Sequence, residues 1–308
     1  MKMLLSVSLI LFITFSSVTS LILPHNTEAH WAVLVAGSSG FWNYRHQSDI
    51  CHSYNILINN GMHPDRIIVL AYDDIAHAGE NPFPGKIFNK PDPKGKGVDV
   101  YQNCKIDYKG SYVTPQTFLD VLNGKAISYG TKKTLKSTSA DNVFIYFSDH
   151  GAEGLIAFPE EFLMANDLLN TLKNMHTKKA YNKLVFYLEA CESGSMFVNL
   201  PKDINIYAIT AANTTESSWA TYCDPDDKVS GKSIGTCLGD EFSVNFLEDT
   251  EQSGGIKKTL QAQFTTVKTK TKKSHVMQYG DLQFESDELS SYEADSASKN
   301  DSKISMVS

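Results

Sequence analysis

Apolar residues along the chain fall into two kinds of pattern. Five runs are short and continuous: 31–36 (WAVLVA), 67–71 (IIVLA), 143–147 (VFIYF), 184–188 (LVFYL) and 206–211 (IYAITA). Each is rich in β-branched or aromatic residues and short enough for a strand buried on both faces. Between them, apolar residues recur at helical spacing. Ile50, Tyr54, Leu57 and Ile58 mark one stripe. Phe118, Val121 and Leu122 mark a second, entered through Thr114-Pro115, which suits an N-cap followed by a first-turn proline. Phe162, Ala165, Leu168, Leu169, Leu172 and Met175 mark a third, and two more helices are expected near 240–247 and 256–267. Strands alternating with helices imply βαβ units, so the expected fold is α/β, a mostly parallel sheet covered on both faces. Residues 81–110 are rich in Pro, Gly, Asn and Lys and read as a long surface loop. Beyond about residue 281 Ser, Asp, Glu and Lys dominate, and 282–308 reads as a polar, disordered tail.

Composition adds little to this picture except by exclusion. Hydrophobic residues make up 42% and charged residues 20%, ordinary for a globular chain. A net charge of −7 argues against nucleic acid as a partner, since its binding needs clustered Lys and Arg. The start of the chain says more. Lys2, an apolar run over 3–15 and then Val18-Thr19-Ser20 follow the order of a secretory signal peptide, assigned to 1–20. The run is shorter than the ~18 residues of a spanning helix, and no later segment is a candidate, so no membrane anchor is expected. The five cysteines, at 51, 104, 191, 223 and 237, leave one thiol over if the rest pair. The secretory route permits disulfides. Cys223 and Cys237 flank a polar stretch with Pro225, Gly231 and Gly235 and are expected to close a loop. Cys51 sits in an apolar helical pattern and reads as a buried small hydrophobe, while Cys104, in a polar loop, has no assignment.

Candidate chemistry lies at two strand ends. The third apolar run leads into Ser148-Asp149-His150-Gly151, the fourth into Glu189-Ala190-Cys191-Glu192-Ser193-Gly194. In an open parallel sheet, sites form at the carboxyl ends of strands. One crossover would set His150 beside Cys191, where an imidazole can take a thiol proton. Gly151 would let its N–H approach a developing oxyanion, with the Cys191 N–H as second donor. Taken singly, either residue is more often structural; together the alternatives are evenly balanced. No Cys-x-x-Cys or His-x-x-x-His spacing supports zinc, and no metal or cofactor is expected.

The surrounding motifs resemble the legumain family of asparaginyl endopeptidases. The resemblance rests on Asn43-Tyr44-Arg45-His46-Gln47, Tyr72-Asp73-Asp74-Ile75-Ala76, Asn81-Pro82-Phe83-Pro84-Gly85, the His150 and Cys191 segments, Glu216-Ser217-Ser218-Trp219, Cys237-Leu238-Gly239-Asp240 and Ser274-His275-Val276-Met277-Gln278-Tyr279-Gly280. They run in order from about residue 30 to residue 281. The resemblance implies a caspase-like domain over 21–281 around a mostly parallel six-stranded sheet. It implies cleavage after Asn, and weakly after Asp at acid pH, by Cys191 and His150 with Asn43 as orienting residue. It maps the substrate pocket to Arg45, His46, Glu189, Ser217, Ser218 and Asp240. It also implies Asp149 as a succinimide candidate, cystatin-type inhibitors as partners, a monomer, and a lysosomal, vacuolar or secreted location. Such a pocket suits Asn, whose side chain carries one acceptor and one donor face. Substrate Asp would match it only when protonated.

One departure from the family and three rival readings stand beside the resemblance. The chain ends soon after Gly280, with no room for the helical C-terminal prodomain of legumain zymogens. The same acyl-enzyme could pass to an amine, making a peptide ligase. A GPI-anchor transamidase shares the fold, but it would carry a C-terminal membrane segment and Gly in place of Asp149. A non-catalytic homologue would have lost Cys191 or His150. Asn213 and Asn300 head glycosylation sequons, and Asn300 is also a candidate self-cleavage site.

Overall fold

A computed structural model of the chain describes residues 29–252 and 254–295. The signal-peptide assignment and Asn300 lie outside them. The five apolar runs form strands β1 (His30–Ala36), β2 (Ile67–Leu70), β3 (Asn142–Ser148), β4 (Leu184–Glu189) and β5 (Ile206–Thr210). A sixth, β6 (Met277–Gly280), completes a sheet ordered β6-β5-β4-β3-β1-β2. All neighbours pair in parallel except β6, which runs antiparallel to β5.

Alternation along the strands sorts the core into two layers. Val33 and Val35 of β1 face one side, where they join α2 (Pro115–Leu122) and α3 (Ala165–Thr177) through Phe118, Val121, Leu168 and Leu172. Ala32, Leu34 and Ala36 face the other, packed with α1 (Tyr44–Asn59), α4 (Glu241–Glu251) and α5 (Leu260–Lys270) through Ile50, Tyr54, Phe242, Phe246 and Leu260. Each buried Val, Leu, Ile or Phe among them contributes about 1.5–3 kcal/mol by leaving water. The α/β expectation, with a mostly parallel six-stranded sheet and helices on both faces, therefore holds. So does the start of α2, where Thr114 Oγ1 accepts from Thr117 N–H at 3.1 Å and Pro115 follows.

Four expectations are corrected. Phe162 does not open α3; it lies in a short strand, Phe162–Met164, and is 64% exposed. That strand belongs to a three-stranded hairpin unit that starts at Gly151, so chain leaving the third strand turns back before the helix begins. Ile256 precedes α5, in a single turn over Gly255–Lys257. The tail reading fails over 282–295: Phe284, Leu289 and Tyr292 are buried, and α6 (Ser290–Glu293) packs against β1 and β3. Three large apolar side chains suffice to dock a segment whose composition is otherwise polar. Residues 296–308 lie outside the described chain. Finally, Cys51 is no free hydrophobe but pairs with Cys104 across 53 residues of sequence. The disulfide ties α1 to the 81–110 loop. Cys223 and Cys237 pair as expected, and Cys191 is the free thiol.

The sheet order places the site. From β1 the chain goes outward to β2, then returns to the other side of β1 for β3 and β4. The reversal opens a crevice at the carboxyl ends of β1, β3 and β4. Asn43, Arg45 and His46 follow β1, His150 follows β3 and Cys191 follows β4, while Ser217 and Ser218 lie on the loop after β5 and Asp240 stands at the start of α4.

Candidate active site

β3 and β4 pair in register Ser148↔Glu189, so His150 and Cys191 each stand two residues beyond a matched pair. Asp149 N–H donates to the Glu189 carbonyl at 3.0 Å and continues the ladder. Gly151 then passes so close to the Cys191 backbone that a Cβ at 151 would stand 2.5 Å from its carbonyl oxygen. Only glycine permits this approach, a packing reason for Gly151 that stands beside the expected oxyanion role. Glu192 follows Cys191 with φ 48°. This left-handed residue turns the chain sharply away from β4 and leaves the half-buried thiol at the rim, donating to the Ser218 carbonyl at 3.7 Å.

The protonation pattern of His150 follows from its neighbour. Asn43, just before α1, donates from Nδ2 to the Ser39 carbonyl at 2.8 Å. Its Oδ1 therefore faces His150, 2.8 Å from Nε2. An amide oxygen only accepts, so Nε2 carries the hydrogen and Nδ1 keeps the basic lone pair. Burial, then the Arg45 charge, push the imidazole below the usual His range, against an opposing pull from Asp240. His150 is thus held as a neutral base into mildly acid conditions.

Beside this pair lies a buried cluster of opposite charges. Arg45, on the first turn of α1, donates from Nε to Asp240 Oδ1 at 2.9 Å and from Nη1 to the Trp42 carbonyl at 3.3 Å. Asp240 Oδ2 is buried with no hydrogen-bond donor of its own. His46 Nε2 stands 3.6 Å from it, and His46 Nδ1 faces Ser38 Oγ at 2.6 Å and Asp149 Oδ1 at 3.1 Å. Burial, Arg45 and His150 all push His46 well below its ordinary value, so it is neutral. Glu189 is pushed up to about 8 by burial and by Asp240, and its Oε2 accepts from Ser243 N–H and Oγ. Burial likewise holds the Asp149 carboxyl well above the usual range, although the adjacent His150 N–H and Arg45 oppose it.

The remaining candidates are placed less directly. Ser218 lies half-buried beside the thiol, while Ser217 is exposed one residue earlier in the same loop. Asn213 sits half-buried where that loop begins, its Oδ1 accepting from Thr215 N–H. Sequence reading missed the side chains that brace these parts. Glu216 pins the loop by accepting from Asn213 N–H, His275 N–H and His275 Nδ1, each at 2.8 Å. Ser38, Asp49 and Ser243 support His46, Asp240 and Glu189. The presence of Glu216 and His275 inside two of the quoted motifs was the one available signal. His46, Asp149 and His150 bring possible metal-ligand atoms within 4.8 Å of one another. Both His46 nitrogens already face internal partners, which a cation would have to displace.

The peptidase C13 family pattern matches residues 30–295. Mouse legumain is 50% identical over 260 residues, covering 83% of this chain and 57% of that protein. The vacuolar-processing enzyme delta-isozyme of Arabidopsis thaliana is 46% identical over 302 residues, covering 92% and 64%. The chain thus spans somewhat over half the length of the curated relatives it matches. A solved caspase-1 from Spodoptera frugiperda aligns over 82% of this chain and 88% of that one, at 10% identity and a TM-score of 0.48.

Proposed function

The chain belongs to the peptidase C13 family, and from that premise we propose that it is a cysteine endopeptidase that hydrolyses peptide bonds after asparagine. The observation that carries the reading is the shared rim. A thiol and an imidazole of fixed tautomer stand beside an Arg–Asp pair whose side chains are a donor and an acceptor.

In this reading the substrate Asn side chain enters between Arg45 and Asp240. The guanidinium has five N–H donors, and those not spent on Asp240 and Trp42 can meet the amide oxygen. The Asp240 carboxylate, held by Arg45 Nε, would accept from the amide NH₂. An apolar side chain would leave both groups unpaired, the strongest form of discrimination a pocket offers. An ionised Asp side chain would set its charge against Asp240. Glu189 adds little repulsion, since it holds its proton up to about pH 8. Protonated Asp presents one donor and one acceptor, so cleavage after Asp should need acid.

The chemistry then follows from Asn43. The basic nitrogen of His150 takes the Cys191 proton, and the thiolate attacks the peptide carbonyl carbon. Charge that gathers on the carbonyl oxygen is met by the N–H groups of Gly151 and Cys191, each such donor worth ~3 kcal/mol in the transition state. Collapse to the thioester expels the amine, which takes the proton back from His150. Water, deprotonated by the same imidazole, releases the acid and the free thiol. Asp149, followed by the His150 peptide nitrogen, is the position at which a succinimide would form.

The N-terminal signal pattern and the kinship to a vacuolar-processing enzyme support delivery through the secretory route to a lysosome or vacuole, or outside the cell. Proteins and peptides with accessible Asn are the substrates, and cystatin-type proteins the inhibitors to test first. The enzyme purified with Cys191→Ala should lose cleavage of an Asn-directed fluorogenic peptide at about pH 5–6, the acid range of the compartments proposed above. Retained activity in that variant would overturn the assignment of the nucleophile.

A further inference from the structure

Behind the substrate pocket lies a carboxyl group that the mechanism leaves unused. Asp49 sits on α1, one turn beyond Arg45 and His46, and is fully buried. It is surrounded by donors. Asn89 Nδ2 donates to Oδ1 at 2.6 Å. The Asp240 backbone N–H donates to Oδ2 at 3.3 Å, and Ser148 Oγ reaches the same oxygen at 3.4 Å. One side chain therefore touches the 81–110 loop, the end of β3 and the residue whose carboxylate meets Arg45.

Asn89 is itself held on every side. Its Nδ2 also faces the Leu238 carbonyl at 3.0 Å and Ser48 Oγ at 3.1 Å, so its amide nitrogen points inward. Its Oδ1 stands 2.7 Å from His52 Nδ1, and His52 Nε2 stands 3.0 Å from Glu251 Oε1 at the end of α4. Gly239 fits because it lacks a side chain: a Cβ there would lie 2.9 Å from Asn89 Nδ2 and 3.0 Å from Asp49 Oδ1. The backbone of 238–240 is thus drawn tightly onto Asn89 and Asp49 immediately before Asp240.

We propose that Asp49, clamped by Asn89, is a positioning residue for substrate selection: it fixes the Asp240 backbone where the Asp240 carboxylate can hold Arg45 and receive the substrate amide. This inference rests on the asparagine-pocket reading above. Asp49 touches no reacting atom, and it acts through Asp240. Burial, then the Asp240 charge, push its carboxyl well above the usual range; Asn89 pulls it down, and the Glu189 charge and a side-chain hydrogen bond with Asp240 push it further up. A neutral amide of the same shape keeps one accepting oxygen and sets its NH₂ against Asn89 Nδ2 or the Asp240 N–H, so it restores the contacts only in part.

The test compares Asp49→Ala, Asp49→Asn and Asn89→Ser with the parent enzyme on peptides carrying Asn at the cleavage position. In parallel, the alkylation rate of Cys191 by iodoacetamide reports the thiol–imidazole pair without using the pocket. Asp49→Ala should raise KM about tenfold or more with a smaller change in kcat and an unchanged alkylation rate, the signature of lost substrate positioning. Asp49→Asn, which keeps one accepting oxygen, should recover only part of the KM. Asn89→Ser, which removes the clamp but leaves Asp49, should raise KM by about threefold on the same reasoning, and it carries the test if Asp49→Ala does not fold. An unchanged KM in Asp49→Ala, or in Asn89→Ser where that variant stands in, overturns the proposal. So does a loss confined to kcat. Failure of the parent enzyme to cleave after Asn would instead overturn the pocket reading itself.

Discussion

At position 43 one amide performs two tasks, donating to Ser39 and presenting its oxygen to His150. The sequence could nominate His150 and Cys191 because reactive side chains at two strand ends form a local pattern. It could nominate Arg45 and Asp240 only through motif resemblance, since 195 residues separate the two partners. Ser38, Asp49 and Ser243 left no trace, because a Ser or Asp that braces another side chain has no periodicity of its own. The Arg45–Asp240 pair gives a prediction at this scale. Arg45→Ala removes the donor for the substrate oxygen and leaves Asp240 buried without its partner. It should cost about 1.5–3 kcal/mol in kcat/KM for Asn peptides, roughly tenfold to a hundredfold, carried mainly by KM. A steady-state comparison of the two enzymes reads this directly, and an unaltered Asn preference would contradict the pocket geometry.

Elements were legible where they are long or continuously apolar. Strands β1 to β5 are buried on both faces and show as unbroken apolar runs. The edge strand β6 has only four residues, three of them partly exposed, and no such run. α6 escaped for a related reason: Phe284, Leu289 and Tyr292 are spread among polar residues, so composition read disorder where packing gives order. α6 also buries a carboxyl. Glu293 is 3% exposed, its Oε1 has no hydrogen-bond partner, and burial raises it from 4.5 to about 8. Burial first, and then the Glu293 charge, push the Tyr187 hydroxyl of β4 upward. Because the folded state holds this proton more tightly than the unfolded chain, its contribution is full below 4.5. It is lost as pH rises from there through about 8. Glu189 adds a loss of the same sign. The share of the melting temperature carried by these two carboxyls should therefore fall between about pH 5 and pH 8, against an opposite contribution from the buried His46 and His150, and Glu293→Gln should remove part of that fall. An equally steep fall in the variant would show that Glu293 does not titrate in this range.

For the molecule as a whole, alternation of strand and helix patterns was enough to give the architecture and hence the rim where the site forms. It was not enough to find the Cys51–Cys104 bond, since no local rule joins a helix cysteine to one in a distant loop. Closing 53 residues of chain contributes about 4 kcal/mol on loop-entropy reasoning. It anchors the 81–110 loop, which supplies Asn89, to the helix that carries Asn43, Arg45, His46 and Asp49. Sheet, disulfide and loop thus converge on one pocket, and the central claim is what that pocket accepts. The most direct test is a cleavage profile of the purified enzyme on a peptide library varied at the residue before the scissile bond, run across acid to neutral pH. The account predicts cleavage after Asn wherever the enzyme is active, with cleavage after Asp emerging only as acid protonates the substrate carboxyl. Cleavage after Asp that persists toward neutral pH, or a preference for basic or apolar residues, would contradict it.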